Sequence, residues 1–409
     1  MKLLFTQDAL VNAGAERSHL DILSRFSEEV EVSFVYFYPK HELKEAYENA
    51  GIRLIFLDIP ESYQFWLAVS RLVKLIRSEK PDLLISSLWR ADIITRIAAL
   101  ITGVPLIGTL VNDSYAPIAW QDKKGLKYKA VYWMDRFTAN IPIHWIANAQ
   151  ALADSHVKTL GLDAKKISVI YRGRVASDKR WEKGRPENQR VENGRIKDNS
   201  NKKDLGFRFL SYGRLLERKG FQDAIQAFAT VLQKYPNCSL TIYGEGPYRY
   251  QLEKLITNFG LKDSVKLPGK FGIGGLVNQC TDTISNLQSP NLLLSSDCFL
   301  FPSWYEGFSG ALVEAMMAGI PIIASNIPMN LEAVSSENSL IFEVQNIDQL
   351  VDQMIFAIGH PDLIVDLGKR AREEALTRFD IEKISKAYEA TVLRIAKEVG
   401  LKTQAKAIG

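Results

Sequence analysis

Short apolar runs recur along the first part of the chain, from Leu3 to Thr6, Val32 to Tyr38, Leu54 to Leu57, Leu83 to Ser86, Leu106 to Leu110, Ile143 to Ala147 and Ile167 to Tyr171. Each is the length of a strand rather than of a helix, and the stretches between them carry helical periodicity. Strands alternating with helices predict an α/β fold built on a parallel sheet. The alternation stops over Asp178 to Asp204, which is rich in Lys, Arg, Glu, Asn and Gly and nearly free of large aliphatic residues. Such a segment cannot bury enough apolar surface to order itself, so it reads as a polar linker or mobile insertion. The pattern restarts at Phe207. The expected organisation is a domain over 1–177, the polar segment over 178–204, a second domain over 205–378 and a final helical segment over 379–409.

Composition agrees with two cores. The chain has 409 residues, 46% of them hydrophobic, enough for two domains of ordinary size. Cys238, Cys280 and Cys298 have neither metal-type spacing nor an evident pairing, which suits a reducing compartment. The chain opens on a strand rather than on a charged region leading into a long apolar one, so no secretory leader is expected. The longest apolar stretch, Ile97 to Val111, is interrupted by Gly103, Pro105 and Gly108 and is shorter than the about 20 residues a membrane span needs. The expectation is a cytoplasmic protein, with peripheral contact at the inner face of the membrane left open.

Two segments bear on that contact. From Phe65 to Arg77, Phe65, Val69, Leu72 and Ile76 share one helical face and Arg71, Lys74 and Arg77 another, a pattern that fits either an interfacial helix or a domain helix facing its core. From Trp120 to Arg136, Lys123, Lys124, Lys127 and Lys129 mingle with Tyr128, Tyr132 and Trp133, which serve equally as acceptor-site walls or as core. The formal charge of +4 permits attraction to anionic lipid without requiring it. The basic residues of 178–204 are mixed with acidic ones and nearly lack aromatics, so nucleic acid is not an expected partner.

Chemistry concentrates between Pro302 and Gly319. The run Cys298 to Phe301 has strand character and ends at Pro302, and helix-forming residues resume at Ala311. Gly307 and Gly310 allow a ligand to approach the intervening turn closely. The free N–H groups around Phe308, Ser309, Gly310 and Ala311 make a helix N-terminus suited to a phosphate. Glu306 stands just before that anion site and Glu314 about one turn into the helix. One carboxylate is placed to hydrogen-bond a hexose and the other a ribose, with a diphosphate between them. By themselves the two glutamates are equally well read as a helix-dipole partner and an ordinary surface residue.

A second strand, Phe207 to Tyr212, runs into Gly213-Arg214-Leu215-Leu216-Glu217-Arg218-Lys219-Gly220, and a helix is expected from Phe221 to Tyr235. Arg214 and Lys219 thus stand at the carboxyl end of a strand, where open α/β sheets bind ligands. A guanidinium grips a phosphate at two points and an ammonium adds a point charge. The Gly244-Glu245-Gly246-Pro247 turn repeats the strand-turn-helix pattern but by itself indicates only a tight turn.

The order Gly-Arg-Leu-x-x-x-Lys-Gly, Gly-x-Gly-Pro and Pro-Ser-x-x-Glu-Gly-Phe-x-x-x-x-x-Glu-Ala-Met-x-x-Gly-x-Pro resembles the retaining, nucleotide-sugar-dependent glycosyltransferases of family 4. The resemblance covers nearly the whole chain. It implies the GT-B fold, two Rossmann-like parallel-sheet domains facing a cleft, with the C-terminal helix crossing back to the N-terminal domain. Asn12 to Arg17 resembles the Gly-Gly-x-Glu loop that faces the sugar donor's phosphates, with Ala13 in place of the first glycine and Gly14 as the second. Many relatives have a histidine where this chain offers Asn112, so Asn112 is either a sugar contact or a turn residue beside Asp113. Arg172 faces an anionic group or pairs with a surface carboxylate.

The resemblance implies transfer of a hexosyl unit from a UDP- or GDP-hexose to a hydroxyl of a glycan or lipid-linked acceptor, with retained anomeric configuration. The departing diphosphate develops negative charge, which Arg214, Lys219 and the amides near Ser309 and Gly310 are suited to stabilise. Glu306 orients the sugar. No Asp-x-Asp pair occurs, and His19, His41, His144, His156 and His360 show no ligand spacing, so neither a metal nor another cofactor is expected. Two alternatives stay open: a catalytically silent sugar-nucleotide-binding protein, and a Rossmann NAD(P)-dependent oxidoreductase. Ala311 stands where a serine-hydrolase elbow needs its final glycine, which argues against that third class.

Overall fold

The computed structural model describes residues 1–61, 64–120, 125–176, 189–192, 195–198, 204–269, 293 and 295–401. The chain divides into two compact units, Met1–Gly173 with Ile381–Gly409, and Arg174–Asp380.

Unit 1 holds a parallel sheet of seven strands: β1 (Lys2–Gln7), β2 (Glu31–Tyr36), β3 (Arg53–Phe56), β4 (Leu83–Ser87), β5 (Leu106–Leu110), β6 (His144–Ala147) and β7 (Ile167–Val169). Their order is β3-β2-β1-β4-β5-β6-β7. Strands buried on both faces need apolar residues at nearly every position, and β4 and β5 are buried along their whole length. The helix Phe65–Glu79 turns Ala68, Val69, Leu72, Val73 and Ile76 inward, against the core that includes Leu4, Val35 and Leu84. Its apolar face is therefore covered by protein, which removes the interfacial reading of Phe65 to Arg77. Arg71 closes it off by donating to the Leu57 carbonyl at 2.7 Å.

The final helix, Ile381–Glu398, belongs to unit 1. Ser385 Oγ donates to the Ile22 carbonyl at 2.8 Å, Ser27 N–H to Glu389 Oε1 at 3.0 Å, and Arg25 pairs with Glu382 at 2.7 Å.

Unit 2 holds a six-stranded parallel sheet: β11 (Arg208–Tyr212), β12 (Ser239–Tyr243), β13 (Val265–Gly269), β14 (Cys298–Phe301), β15 (Ile322–Ser325) and β16 (Leu340–Phe342), ordered β13-β12-β11-β14-β15-β16. One face packs on the helices Phe221–Lys234 and Ile347–Gly359 through Phe209, Phe228, Leu240, Leu300 and Met354. Cys238 and Cys298 are buried free thiols, while Cys280 lies outside the described residues.

Much of 178–204 also lies outside the described residues, but three short strands there form an antiparallel sheet: β8 (Gln189–Glu192), β9 (Arg195–Asp198) and β10 (Asp204–Leu205). The polar-linker reading missed a local signal. In the sheet's backbone register Val191 lies opposite Ile196 and Glu192 opposite Arg195, and the strand-like residues Val191 and Ile196 are the part of the segment that composition alone passes over.

Candidate active site

In each sheet the chain reverses its direction of progress once, between β1 and β4 in unit 1 and between β11 and β14 in unit 2. Loops leaving neighbouring strands diverge at such a switch point and open a crevice at the carboxyl ends of the strands. In unit 2 those loops are 213–220 and 302–309, the two segments that carry the sequence motifs.

The two loops are locked together. Gly220 adopts a left-handed φ of 66°, and a Cβ there would stand 2.0 Å from the Pro302 carbonyl oxygen, so only glycine fits. Trp304 N–H donates to the Arg218 carbonyl at 2.8 Å, and Trp304 Nε1 donates to Asp223 at 2.6 Å. Arg218 stacks over the Tyr305 ring at 4.9 Å and donates to its hydroxyl at 3.0 Å. Arg218 is thus a scaffold residue that ties the two loops together.

This scaffold brings Lys219 and Glu306 into an ion pair in which both side chains are mostly buried, and Ser303 Oγ also donates to Glu306 Oε1, at 2.8 Å. One residue from each loop, Lys219 and Ser303, is thereby oriented on the Glu306 carboxylate. Glu306 keeps Oε2 and its remaining lone pairs for a ligand, and the Lys219 ammonium has two further N–H groups. Arg214 is exposed, and its side chain makes no hydrogen bond or ion pair among the described residues.

The helix Gly310–Ala318 follows, with Ser309 as an N-cap whose side chain makes no capping hydrogen bond. Its first amides therefore lack the usual side-chain acceptor. The Phe308 ring is interior, packed 5.2 Å from Phe379, so its contribution to a ligand is limited to backbone. Gly310 does not take a left-handed φ. Its role is spatial, since a Cβ there would lie 1.9 Å from Arg174 Nη2.

Arg174 is the residue sequence reasoning missed. Its Nε donates to Glu314 Oε1 at 2.8 Å, and Tyr212 donates its hydroxyl to Glu314 Oε2, also at 2.8 Å. Both oxygens of Glu314 are thus held before any ligand arrives, each with a second lone pair remaining. A guanidinium and the positive end of a helix repel one another, and Glu314 offsets that locally. The arrangement would accept further negative charge.

Unit 1 repeats the device. The helix Gly14–Leu23 begins at the switch point after β1, with Ala13 as an N-cap that offers no side-chain acceptor. A Cβ at Gly14 would stand 3.2 Å from Arg172 Nη1. Asn148, with its amide oxygen toward the guanidinium, accepts from Arg172 Nε at 3.1 Å and Nη2 at 3.2 Å. Burial pushes Glu16 up to about 7, against the lowering pull of Arg172, and pushes Asp8 up to about 6 despite the Ala91 N–H it accepts. Burial and Arg172 together press His19 down to about 3, so it is a neutral ring, 2.6 Å from Gln7 Oε1.

Asn112 is exposed and borders a cavity of about 40 Å³ shared with Trp89, Asp92, Arg96, Thr109, Tyr115 and His156. The turn beside it is held by other groups: its own carbonyl accepts from Ser114 N–H, and Asp113 accepts from Ser155 Oγ at 3.0 Å. The Asn112 side chain makes no hydrogen bond among the described residues. Among the described residues no group of three or more His, Cys, Asp or Glu stands close enough to hold a metal ion.

The chain matches two family models, one described as Glycosyltransferase Family 4 over residues 13–176 and one as Glycosyl transferases group 1 over residues 192–374. It is 27% identical over 321 residues to the UDP-Gal:alpha-D-GlcNAc-diphosphoundecaprenol alpha-1,3-galactosyltransferase of Escherichia coli, covering 76% of this chain and 75% of that one. It is 23% identical to the capsular polysaccharide biosynthesis glycosyltransferase CapM of Staphylococcus aureus, covering 80% of each. The fold is similar to that of Anabaena Alr3699/HepE in complex with UDP-glucose, with a TM-score of 0.75 and 21% identity over 96% of this chain and all of that one. With one family model over each sheet-bearing half and two α/β units of parallel strands beneath them, the chain belongs to the glycosyltransferases of GT-B fold.

Proposed function

We propose that the protein transfers a hexosyl unit from a nucleoside-diphosphate hexose to a hydroxyl of a glycan or lipid-linked acceptor, retaining the anomeric configuration and needing no metal. The observation that carries this reading is the clustering at one switch point of Lys219, Arg214 and Arg174 with an N-terminus whose N-cap side chain is not engaged. Breaking a glycosyl-phosphate bond moves negative charge onto the departing diphosphate. Fixed cations and amides stabilise that charge with little reorganisation. In unit 1, Gly14 and Arg172 offer an anion the same kind of partner.

Glu306, oriented by Lys219 and Ser303, positions the sugar hydroxyls, and Glu314, oriented by Arg174 and Tyr212, takes the ribose. Asn112 serves as a sugar contact. A leaving-group oxygen neutralised by side chains and amides removes the main task a divalent ion performs, which supports metal independence. The Escherichia coli relative is named for a UDP-sugar donor and a lipid-diphosphate acceptor, which favours that pairing of substrate classes here.

The test is a thermal-shift screen of UDP- and GDP-hexoses, followed by transfer assays with a chelator present. Stabilisation by one nucleotide sugar, with turnover unaffected by chelation, is expected. An absolute requirement for added Mg²⁺ overturns the metal-free reading, and NMR of the product's anomeric proton decides retention.

A further inference from the structure

The helix Leu126–Thr138 in unit 1 is amphipathic in the reverse sense for a domain helix. Its inward side is polar: Asp135 pairs with Arg96 at 2.5 Å, while Tyr132 Oη and Arg136 Nη1 both donate to the Thr159 carbonyl, at 2.7 and 2.8 Å. Its outward side is apolar. At 3.6 residues per turn, Leu126, Ala130, Trp133 and Phe137 fall on a single stripe. Leu126 is 83% exposed, Phe137 75% and Trp133 48%, and Met134 beside them is exposed as well. The Trp133 and Phe137 rings stack at 5.4 Å, so these side chains form a joined surface rather than scattered residues.

Contiguous exposed apolar surface of this kind marks an interaction site. Its borders indicate the partner. By the same helical spacing Lys127 and Lys129 line the two edges of the stripe, both exposed, and the only carboxylate of the helix, Asp135, is buried. Apolar and aromatic side chains bordered by ammonium groups are complementary to a surface whose interior is apolar and whose rim is anionic. No helix among the described residues is long and apolar enough to cross a membrane, so such contact would be with the surface only.

We infer that Leu126, Trp133, Met134 and Phe137, with Lys127 and Lys129, form a docking face for a bilayer bearing anionic lipid headgroups. The four apolar side chains enter the headgroup region and the two ammonium groups remain among the phosphates. Of the two basic, aromatic segments in the sequence, only this one presents its apolar face outward. The inference concerns where the protein resides and does not depend on the donor or the acceptor.

The full chain is tested by co-sedimentation with vesicles of phosphatidylcholine alone and of phosphatidylcholine with one-third phosphatidylglycerol, without any sugar nucleotide. Binding to the anionic vesicles is expected, weaker in 0.5 M salt. Trp133→Ala with Phe137→Ala, and separately Lys127→Glu with Lys129→Glu, each lower the partition coefficient by about tenfold or more. These side chains are exposed, so melting temperature and transfer to a water-soluble acceptor stay as in wild type. Equal partitioning of wild type and both double variants overturns the inference, as does absence of binding to anionic vesicles. Loss of a dimer in the Trp133→Ala, Phe137→Ala variant, seen by light scattering without vesicle binding in wild type, assigns the face to a second copy and overturns it too.

Discussion

Two helix N-termini, one in each unit, are built from the same parts and differ in what surrounds the carboxylates near them. Each follows a strand at the switch point, lacks a capping side chain, begins with a glycine and has an arginine guanidinium against that glycine. The arginines are Arg172 in unit 1 and Arg174 in unit 2, two residues apart in the chain. In unit 2 the nearby carboxylates are each held by a cation, Glu306 by Lys219 and Glu314 by Arg174. In unit 1 desolvation raises the pKa of Glu16 to about 7 and of Asp8 to about 6, outweighing the backbone N–H and Arg172 at Glu16 and the Ala91 N–H and Arg90 at Asp8. A cation thus faces each carboxylate in unit 2, whereas in unit 1 desolvation makes each carboxylate harder to ionise. At neither terminus does the N-cap side chain engage the first amides, which leaves N–H groups there to meet a negatively charged ligand.

The largest expected effect tests whether the unit 2 cations serve the leaving group. The Arg214→Ala, Lys219→Ala double variant is expected to lose transfer by roughly 10³-fold or more while circular dichroism shows a folded protein. Because Lys219→Ala leaves the buried Glu306 carboxylate without its cation, the control is Lys219→Met with Glu306→Gln, which removes both charges. Turnover at the wild-type level in the folded double variant overturns the diphosphate site.

Next in size is the contrast between the two glycines. Gly310→Ala places a methyl group on a guanidinium that Glu314 holds in place, so donor KM should rise about tenfold as the pair is displaced. Gly14→Ala needs Arg172 to yield by only tenths of an ångström and should change KM by about threefold or less. Steady-state kinetics of both variants decide it, and a larger effect at Gly14 would reverse the assignment of the dominant anion site.

A smaller effect concerns pH. Folded Glu16 holds its proton up to about pH 7, whereas the ordinary value is 4.5. Between those values the folded state binds more protons than the unfolded one, so stability falls as pH rises from about 4.5 to about 7 and levels off above. Glu16→Gln removes this dependence and should stabilise the protein at pH 8 by roughly 3 kcal/mol relative to wild type. Urea unfolding at pH 5 and pH 8 measures it. A variant less stable than wild type at pH 8 would show that the Glu16 charge is held by partners after all.

The smallest concerns Asn112. Asn112→Ala exposes no new buried polar group, so the melting temperature should be unchanged while donor KM rises by about three- to tenfold. An unchanged KM leaves Asn112 outside the site.

Much of unit 2 was legible because its information is local. Cys298 to Phe301, the Pro302 stop and the glycine-spaced turn lie within one short segment, and strand, loop and helix follow from propensity and breakers alone. Lys219 was legible for the same reason, one residue before a glycine that must turn. Arg174 was not, since its partner Glu314 is 140 positions away and nothing near Arg174 distinguishes it from a surface arginine. Tyr212 and Ser303 were missed likewise: a strand-end tyrosine and a loop serine gain meaning only from the carboxylate they face. The face of Leu126–Thr138 was left ambiguous because periodicity gives the stripe but not which side the core takes.

The sequence by itself determined the alternation of strands and helices, the division into two sheets, the glycine-bracketed turn and the Arg214, Lys219, Glu306 and Glu314 positions. These depend on dihedral preference and hydrophobic period, which are properties of neighbouring residues. Only the tertiary structure decided that Lys219 clasps Glu306 and that Arg174 occupies the space a Cβ at Gly310 would fill. It also decided that Phe65–Glu79 faces inward while Leu126–Thr138 faces out. Those outcomes depend on which distant side chains share a volume, and so on what surrounds each carboxylate there.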